Sequence, residues 1–360
     1  MARSTVLILT REEDAHAPPV IQELRRRGIQ SVCLDLADLP TRLAHAPLVA
    51  MLSTDACGWE GTCHCPPGEA WGIEEVISVW WRRPRFPQAA GAYAPPVQTF
   101  IQDETTRGFL GVLAERPVVW EAAGQNREAE PAAHRLRWGL RPCWVNQRER
   151  LQAAEYKPAQ LQAAAQLGWR IPRTLLTTDP AAARAFLEQC QGRVICKALA
   201  RGLLPATPPL TETQVIYTQR VLPEHAGWLE GVRSAPTLFQ EEIPKALELR
   251  VVVMGQQVFA FEIYSQASER TRLDWRRCYT DLRYGRRQLS SETEQRVLDL
   301  LHHFHLQFAA LDLIVSPEGE EVFLELNPAG QWYWLEQQTG VPLAAAMATL
   351  LASPEEVGLW

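Results

Sequence analysis

Residues 309–334 read AALDLIVSPEGEEVFLELNPAGQWYW, and this stretch decides the fold of the chain. Within it, two alternating apolar runs at 310–315 and 322–326 have the pattern of β-strands. The residues between the runs, Ser316-Pro317-Glu318-Gly319, are typical of a hairpin turn. The sequence therefore predicts an antiparallel hairpin, and the other elements can be placed around it.

Three polar side chains share one face of this predicted hairpin. Side chains two positions apart on a strand point the same way, so Glu325 and Asn327 share a face, and Asp312 can meet them from the partner strand. Two carboxylates and an amide oxygen are an all-oxygen set of the kind that Mg²⁺ binds together with waters and phosphate oxygens. The alternative is an edge hairpin whose polar residues simply face solvent.

The composition bounds the class of protein. A chain of 360 residues, 46% hydrophobic and 22% charged, can hold two or three subdomains and a sizeable core. No apolar stretch approaches the ~18 residues of a membrane span. The strand-like Val6-Leu7-Ile8-Leu9 is too short for a secretory signal, so we expect a cytoplasmic protein. A net charge of −6 makes nucleic acid an unfavourable partner.

The cysteines show one cluster. Cys57, Cys63 and Cys65 lie near His64, which gives four side chains of the types that bind zinc. Their spacing is not that of usual zinc sites, and no second Cys-x2-Cys pair follows. We expect a reduced loop here, with a metal site as the alternative.

Lysine and asparagine are scarce. Of the 36 basic side chains only three are Lys, at 157, 197 and 245, and the only Asn residues are at 126, 146 and 327. A compact ammonium does work that a guanidinium fork does not, so the surviving lysines are candidate functional residues. The alternative is chance survival under codon bias. A second bias lies at residues 269–287, where seven arginines predict an anionic ligand or an acidic peptide.

The start of the chain has a strand–helix–strand pattern, with a strand at 6–10, a helix at 20–27 and a strand at 31–36. This pattern predicts a small parallel α/β domain. It is not a dinucleotide site, because TREED at residues 10–14 replaces the glycine-rich turn. Further on, a helix is predicted over 148–167, carrying Lys157, and a strand over 194–199, carrying Lys197.

These elements suggest a nucleotide site. Two ammonium groups, on Lys157 and Lys197, can reach one polyphosphate. The strand end Gln240-Glu241-Glu242-Ile243 is a candidate hinge whose backbone can bond an adenine edge, and Glu248 can accept from ribose hydroxyls. Arg250 would point toward the phosphates. The alternatives are surface lysines, an exposed acidic edge and a structural arginine.

The order of these features resembles the ATP-grasp superfamily. Residues 146–350 carry the resemblance, which is most specific at Glu325-Leu326-Asn327-Pro328. Within the superfamily, the chain resembles the microviridin-type (graspetide) ligases. Three stretches support this: VWWRRP at 79–84, DWRR at 274–277 and NPAGQW at 327–332. The chain departs from the superfamily at 201–210, which has one Gly and three Pro in place of a glycine-rich phosphate flap.

The resemblance implies an α/β (α+β) fold of ATP-grasp type. It places a Rossmann-like parallel domain at 1–145, a central lid subdomain at 146–240, and a catalytic subdomain with an antiparallel sheet at 241–360. It also implies an activity: Asp or Glu side chains of a ribosomally made precursor peptide, with a leader and an acidic core, are activated as acyl phosphates. Rings then close onto Ser/Thr or Lys, as omega-esters or omega-amides, with release of ADP and phosphate.

The implied cofactors are ATP and Mg²⁺. Asp312, Glu325 and Asn327 are the expected metal ligands, and Arg250 is expected to neutralise phosphate charge. The remaining nucleotide-binding residues implied are Lys157, Lys197, Gln240, Glu241, Glu242, Ile243, Lys245 and Glu248.

The resemblance also implies residues that handle the peptide. Arg272 and Arg276 are candidates for bidentate contact with the substrate carboxylate. Asp274 is a candidate base for the attacking hydroxyl, with a structural salt bridge as the alternative. Leader docking is expected at Trp81, Arg82 and Arg83. Its alternative is a core Trp pair with two solvated arginines. A homodimer is left open alongside a monomer.

Two other functions compete with the macrocyclase. One is an amino-acid ligase resembling the ribosomal-protein glutamate ligases, which would add residues to a protein or peptide. The other is a nucleotide-gated peptide-binding protein that has lost catalysis. The complete set of lysines and carboxylates argues against the second, because a decayed site usually loses a ligand.

Overall fold

The computed structural model describes residues 4–43, 47–51, 59–64, 70–89, 91–114, 142–200, 202–204, 206–207 and 212–353. The α-helices of this part are α1 (Ala17–Arg26), α2 (Leu39–Leu43), α3 (Pro95–Leu113), α4 (Arg148–Ala154), α5 (Lys157–Gln166), α6 (Pro180–Gln189), α7 (Ser291–His303), α8 (Tyr333–Thr339) and α9 (Leu343–Ala352). Short 3-10 helices lie at Leu36–Asp38, Ile73–Glu75, Pro223–Ser234, Ser265–Ala267, Trp275–Arg277 and Tyr279–Asp281.

The strands are β1 (Thr5–Thr10), β2 (Gln30–Leu34), β3 (Leu48–Met51), β4 (Glu60–Cys63), β5 (Trp71–Gly72), β6 (Val76–Arg83), β7 (Cys143–Val145), β8 (Thr174–Thr177), β9 (Val194–Lys197), β10 (Leu203–Leu204), β11 (Gln214–Val215), β12 (Gln219–Arg220), β13 (Thr237–Glu241), β14 (Leu247–Met254), β15 (Gln257–Ile263), β16 (Tyr284–Arg287), β17 (Phe308–Val315) and β18 (Glu321–Asn327). The small sheets β3-β4-β5 and β10-β11 are antiparallel.

The N-terminal sheet is parallel, with strand order β2-β1-β6-β7. Helix α1 connects β1 to β2 and ends before Gly28, whose φ of 74° lies in the left-handed region that glycine tolerates. Every residue of β1 is buried, as is usual for a central parallel strand covered on both faces. The predicted Rossmann-like parallel domain is confirmed.

A five-stranded antiparallel sheet, β16-β15-β14-β17-β18, lies in the C-terminal part. Its side chains alternate between two cores, as the strand period requires. On β14, Leu249, Val251 and Val253 pack with α5 and α7, whereas Val252 and Met254 pack with α1, α8 and α9. Because that second core also contains residues of β1, the N-terminal domain and the C-terminal sheet share one hydrophobic interior.

The lid sheet, β12-β9-β13-β8, is also antiparallel. Helix α6 and the 3-10 helix Pro223–Ser234 cover it, and Phe186, Leu229 and Phe239 lie in their common core. The predicted architecture was a parallel α/β domain, a lid subdomain and an antiparallel C-terminal sheet, and this fold class is confirmed. The proposed domain limits stay a prediction.

The helix predicted over 148–167 is two helices, α4 and α5, and this part of the prediction is wrong. Pro158 lacks the N–H that a continuous helix needs, and its ring would clash with the carbonyl four residues earlier. That carbonyl, of Ala154, accepts instead from Gln160 Nε2 at 2.5 Å. Lys157 therefore begins α5, which packs on β18 of the C-terminal sheet although it lies within the interval expected for the lid.

No helix in the described residues is long and apolar enough to cross a membrane.

Candidate active site

The hairpin at the centre of the prediction is present, with β17 antiparallel to β18. Asp312 lies directly opposite Glu325, and Ala310 lies opposite Asn327. Asn327 Nδ2 is 3.0 Å from Asp312 Oδ2 and 3.1 Å from Glu325 Oε1, so the three side chains meet on one face. The structure thus brings the predicted metal ligands together, and their metal role stays a prediction.

Two cations hold the carboxylates of this group. Lys157 Nζ forms an ion pair and hydrogen bond with Glu325 Oε2. Arg250 lies opposite Asp312 on β14, and its Nη1 donates to both Asp312 oxygens at 2.8 and 2.9 Å. Burial alone would raise the pKa of Glu325, but Lys157 and then Lys197 hold it below its ordinary value. Arg250 thus supports Asp312 in addition to any contact with phosphate.

Among the described residues of the site, Lys197 is a cation without an ion-pair partner. It ends β9 on the lid sheet, and within the described part of the chain its Nζ has no hydrogen-bond partner. Burial lowers its pKa to about 8; the charges of Lys157 and Lys245 act in the same direction, and Glu325 opposes them. An unpaired ammonium at a cleft wall is costly for the protein alone and is relieved by a bound anion.

These residues line a cleft of about 460 Å³ between the lid sheet and the C-terminal sheet. One part of its wall is apolar, from Ile195, Ile243, Ile314 and Leu324. The other part is charged or polar, with Lys157, Lys197, Lys245, Arg272, Arg276, Asp312, Glu325 and Asn327. An apolar slot that opens onto a charged end suits a ligand with a flat hydrophobic ring and an anionic tail.

The predicted hinge, Gln240 to Ile243, lies at the end of β13 beside the apolar wall. Glu241 N–H donates to Arg173 O and Glu242 N–H to Arg193 O, both at 2.9 Å, so these two donors are already used. Among the described residues, Ile243 N–H has no partner. Gln240 is buried and points to Thr174 Oγ1 at 3.1 Å. Ile243 is therefore the hinge residue best placed to donate to a ring in the slot.

Two further predicted nucleotide residues hold each other. Lys245 Nζ donates to Glu248 Oε1 at 2.8 Å and to Leu273 O at 3.1 Å. Both side chains are buried at the cleft wall. Glu242 likewise pairs with Arg220, whose Nε donates to Glu242 Oε2 at 2.7 Å. Any contact of Glu248 with a ligand hydroxyl is therefore shared with Lys245.

Asp274 is fully bonded in the structure. Its carboxylate accepts from Arg276 Nε at 2.8 Å and Arg276 Nη2 at 2.6 Å, and from Thr218 N–H at 3.1 Å. Burial would raise its pKa, but the hydrogen bonds and charge of Arg276, with Thr218 N–H, hold the pKa below its ordinary value. This geometry favours the salt-bridge alternative over the base role. Asp274 thereby orients Arg276, and the exposed Arg272 lies at the same cleft wall.

The surface expected for leader docking is not found at Trp81, Arg82 and Arg83. Trp81 is 8% exposed and Arg82 is 1% exposed. Strand β6 lies between β1 and β7 in the parallel sheet, and its two faces pack into two hydrophobic cores. Arg82 and Arg83 instead donate to Ala329 O at 2.7 Å each. The Trp pair of the alternative reading is in the core, but Arg82 is buried rather than solvated.

The cysteine cluster lies partly outside the described residues, which include Cys63 and His64 but not Cys57 or Cys65. Its metal alternative stays a prediction. In the described part no group of three or more His, Cys, Asp or Glu side chains is arranged to hold a metal ion. The hairpin site differs from such a group because it joins two carboxylates to an amide.

Sequence reasoning missed Gln160, which braces the metal strand. Because β18 is an edge strand, the backbone of Leu326 needs partners outside the sheet. Gln160 Oε1 accepts from Leu326 N–H at 2.9 Å, and its Nε2 donates to Leu326 O at 2.8 Å. Gln160 lies three residues after Lys157 on the same helix, so the two side chains share one face. This spacing is the signal in the sequence that could have indicated Gln160.

Several solved structures are similar to the chain over nearly its whole length. The chain is similar to the macrocyclase MdnC bound with precursor peptide MdnA from Microcystis aeruginosa MRC, at 26% identity and a TM-score of 0.76, over 98% of this chain and 100% of that one. It is also similar to a Chryseobacterium gregarium RiPP-associated ATP-grasp ligase in complex with ADP and a leader and core peptide. Here the identity is 23% and the TM-score 0.80, over 98% of this chain and 97% of that one.

A third similar structure is the ATP-grasp ligase PsnB complexed with a phosphomimetic variant of a minimal precursor, Mg and ADP. Here the identity is 20% and the TM-score 0.66, over 98% of this chain and 99% of that one, so this likeness concerns the fold. No protein-family model and no curated protein matches the chain.

The fold of the chain is that of the ATP-grasp ligases. The chain is similar to the macrocyclase MdnC and to ligases solved with leader, core or precursor peptides, so the resemblance predicted from the sequence is confirmed.

Proposed function

We propose that this chain is an ATP- and Mg²⁺-dependent peptide macrocyclase. It activates Asp or Glu side chains of a ribosomally made precursor peptide as acyl phosphates and closes them onto Ser/Thr or Lys. The observation that carries the proposal is the cleft itself, where Asp312, Glu325 and Asn327 meet opposite the unpaired Lys197. The likeness to MdnC, which binds a precursor peptide, supports the peptide as substrate.

The donor set fits Mg²⁺. Two carboxylates and an amide are hard oxygen ligands, and the Asn327 amide already lies between the two carboxylates, where a cation would be attracted. A half turn of that amide exchanges its nitrogen for its oxygen. Asp312, Glu325 and Asn327 would hold the ion, which would supply positive charge to offset the repulsion between the phosphates and an incoming carboxylate. ADP in the C. gregarium complex and Mg with ADP in the PsnB complex support these cofactors.

The nucleotide is held by the two walls of the cleft. We assign the adenine to the apolar slot beside Ile195 and Ile314, with Ile243 N–H as its donor. Lys197 and Lys157 then face the phosphates from the lid and from the first turn of α5. Because these charges are fixed before the ligand arrives, they stabilise the transferring phosphoryl group without reorganisation.

The substrate carboxylate is assigned to Arg276 and Arg272. Asp274 locks the Arg276 fork by two hydrogen bonds, so its free edge is pre-oriented toward the cleft. A carboxylate oxygen attacks the γ-phosphorus of ATP, giving the acyl phosphate and ADP. A hydroxyl or amine of the peptide then attacks the acyl carbon, loses its proton, and expels phosphate that carries the former carboxylate oxygen.

The finer parts of the partner prediction belong to the same proposal. The precursor consists of a leader, which docks away from the chemistry, and an acidic core that enters the cleft. The proposal includes a cytoplasmic location, with a homodimer as the alternative to a monomer. The basic stretch 269–287 supports an acidic core as the segment fed to the site.

The test uses the cognate precursor, sought among small open reading frames beside the gene that encode Thr/Ser- and Asp/Glu-rich repeats. We expect the purified enzyme to remove one water per ring, only with ATP and Mg²⁺, as measured by mass spectrometry. A mass increase by amino-acid units would instead establish the amino-acid ligase. Absence of ATP hydrolysis with any acidic peptide would favour the non-catalytic binding protein.

A further inference from the structure

The loop at residues 328–332, directly after the metal strand, is held by side chains from distant parts of the chain. Its carbonyls are bonded one after another: Pro328 O accepts from Asn146 Nδ2 at 2.9 Å, and Ala329 O accepts from Arg82 Nη1 at 2.7 Å. Gln331 O accepts from Arg250 Nη2 at 3.0 Å. Three of the donors to this loop come from the N-terminal sheet or directly after it: Arg82 and Arg83 lie on β6, and Asn146 follows β7.

The loop ends on a histidine of the N-terminal domain. Trp332 N–H donates to His16 Nε2 at 3.0 Å. With Nε2 acting as acceptor, a neutral ring carries its proton on Nδ1, which donates to Asp14 Oδ1 at 3.0 Å. Asp14 Oδ2 is 3.2 Å from Arg82 Nε, so His16, Asp14 and Arg82 form one buried network.

This network is adjacent to the metal ligands. Gly330 N–H donates to Asn327 O at 3.0 Å, so the loop begins as a turn on Asn327 itself. Arg250 connects the other end of the loop to the metal ligands, because its guanidinium donates both to Gln331 O and to Asp312. Gly330 leaves room for this packing, since a Cβ there would lie 2.5 Å from Ala310 Cβ and 2.9 Å from Arg250 Nη2.

We propose that His16, Arg82, Arg83 and Asn146 are positioning residues, which set the loop at 328–332 and through it the orientation of Asn327 and Asp312 toward the metal. This inference rests on the proposed function, because the metal role of those ligands belongs to it. The N-terminal domain would then act directly on the metal site, beyond any part in holding the peptide. A misplacement of about 1 Å at such a site is costly, which explains the number of bonds spent on one loop.

Two substitutions of His16 separate its contact with Trp332 from its contact with Asp14. Glutamine places a polar atom near the position of His Nε2, so His16→Gln retains an acceptor for Trp332 N–H. Asparagine reaches only the position of Nδ1, so His16→Asn loses that contact but can still bond Asp14. Arg27→Ala is the matched control, because Arg27 also joins the N-terminal domain to the C-terminal part, at Thr349 Oγ1 and Ala345 O, without touching the loop.

The measurement is Mn²⁺ affinity in the presence of ADP, by electron paramagnetic resonance, together with hydrogen exchange of the peptide that contains the loop. We expect His16→Asn to weaken Mn²⁺ binding about three- to tenfold, as one lost hydrogen bond would, and to speed exchange at Trp332. His16→Gln and Arg27→Ala should leave the Mn²⁺ affinity and the exchange at Trp332 unchanged. The affinity for ADP without metal should be the same in the wild type and in all three variants. If His16→Asn fails to fold, Arg83→Ala gives the same test at a half-buried side chain.

Unchanged Mn²⁺ affinity in folded His16→Asn or Arg83→Ala protein would overturn the inference, as would an equal loss in Arg27→Ala. Neither result touches the proposed function, which fails only if wild-type enzyme does not dehydrate its precursor with ATP and Mg²⁺. Wild-type protein that binds no Mn²⁺ with ADP would overturn the inference and the metal assignment together.

Discussion

Asp312 and Glu325 face each other across adjacent strands, yet each carboxylate is matched to a different cation. Arg250 holds Asp312 from within the same sheet, whereas Lys157 reaches Glu325 from the first turn of a helix. Lys157 keeps Glu325 ionised, whereas burial raises the pKa of Asp312 above its ordinary value and Arg250 opposes that rise while holding the carboxylate in place. A site built this way attracts a divalent cation and still has Lys197 free for a phosphate.

The first prediction concerns the metal ligands. Asp312→Asn combined with Glu325→Gln should lower turnover at least about 100-fold, because the oxygens that hold Mg²⁺ lose their charge. Peptide binding, measured by fluorescence anisotropy, should stay within about twofold of wild type. Glu318→Gln, on the exposed turn of the same hairpin, is the control and should be fully active. Equal loss of peptide binding in the double variant would contradict the assignment.

The second prediction concerns Lys197. Lys197→Met should weaken ATP binding by about tenfold or more, because the only unpaired cation described in the cleft is lost. Lys197→Arg should not restore it, since the larger guanidinium must enter a site shaped for an ammonium. Calorimetric titration with ADP checks both variants against Arg193→Ala, an exposed residue of the same lid. Full rescue by arginine would show that charge alone matters there.

The third prediction separates the two roles of Asp274. If it orients Arg276, Asp274→Asn should raise KM for the peptide and leave the acid limb of the kcat–pH profile in place. If Asp274 is instead the catalytic base, the acid limb of the kcat–pH profile should disappear in the variant. Steady-state rates between about pH 5 and 9 distinguish these outcomes, and we expect the first.

The fourth prediction is a pH dependence of stability. Burial, aided by Arg82 and Arg83 and opposed by Asp14, lowers the pKa of His16 below its ordinary value of 6.5. The unfolded chain therefore takes up this proton first, so stability is lost as the pH falls below about 6.5, by at most about 1.4 kcal/mol per pH unit. Denaturant unfolding of His16→Gln should show a shallower fall than wild type, and identical slopes would contradict this account.

Much of the site was predictable because its geometry is local. Strand alternation alone put Glu325 and Asn327 on one face that Asp312 could meet, and the structure shows Asp312 opposite Glu325. The scarcity of lysine indicated Lys157, Lys197 and Lys245, all of which line one cleft. For the hairpin residues the spacing in the sequence determines the spacing in the structure, whereas the lysines were indicated by composition.

The rest depended on contacts between distant residues. Arg82 was expected at the surface because arginine is rarely buried, but Asp14 and the carbonyls of the 328–332 loop supply its partners. Asp274 was a candidate base, and its partner Arg276 lies only two residues away, but Thr218 N–H binds it from 56 residues earlier in the chain. No local pattern reports the pairings between distant residues.

The measurement that tests the central claim most directly follows the carboxylate oxygen. A precursor labelled with oxygen-18 in its Asp and Glu side chains is treated with the enzyme, ATP and Mg²⁺, and the released phosphate is analysed by mass spectrometry. Activation as an acyl phosphate predicts one labelled oxygen in the phosphate for each ring closed. Unlabelled phosphate, with the label retained in a cyclised peptide, would contradict the account.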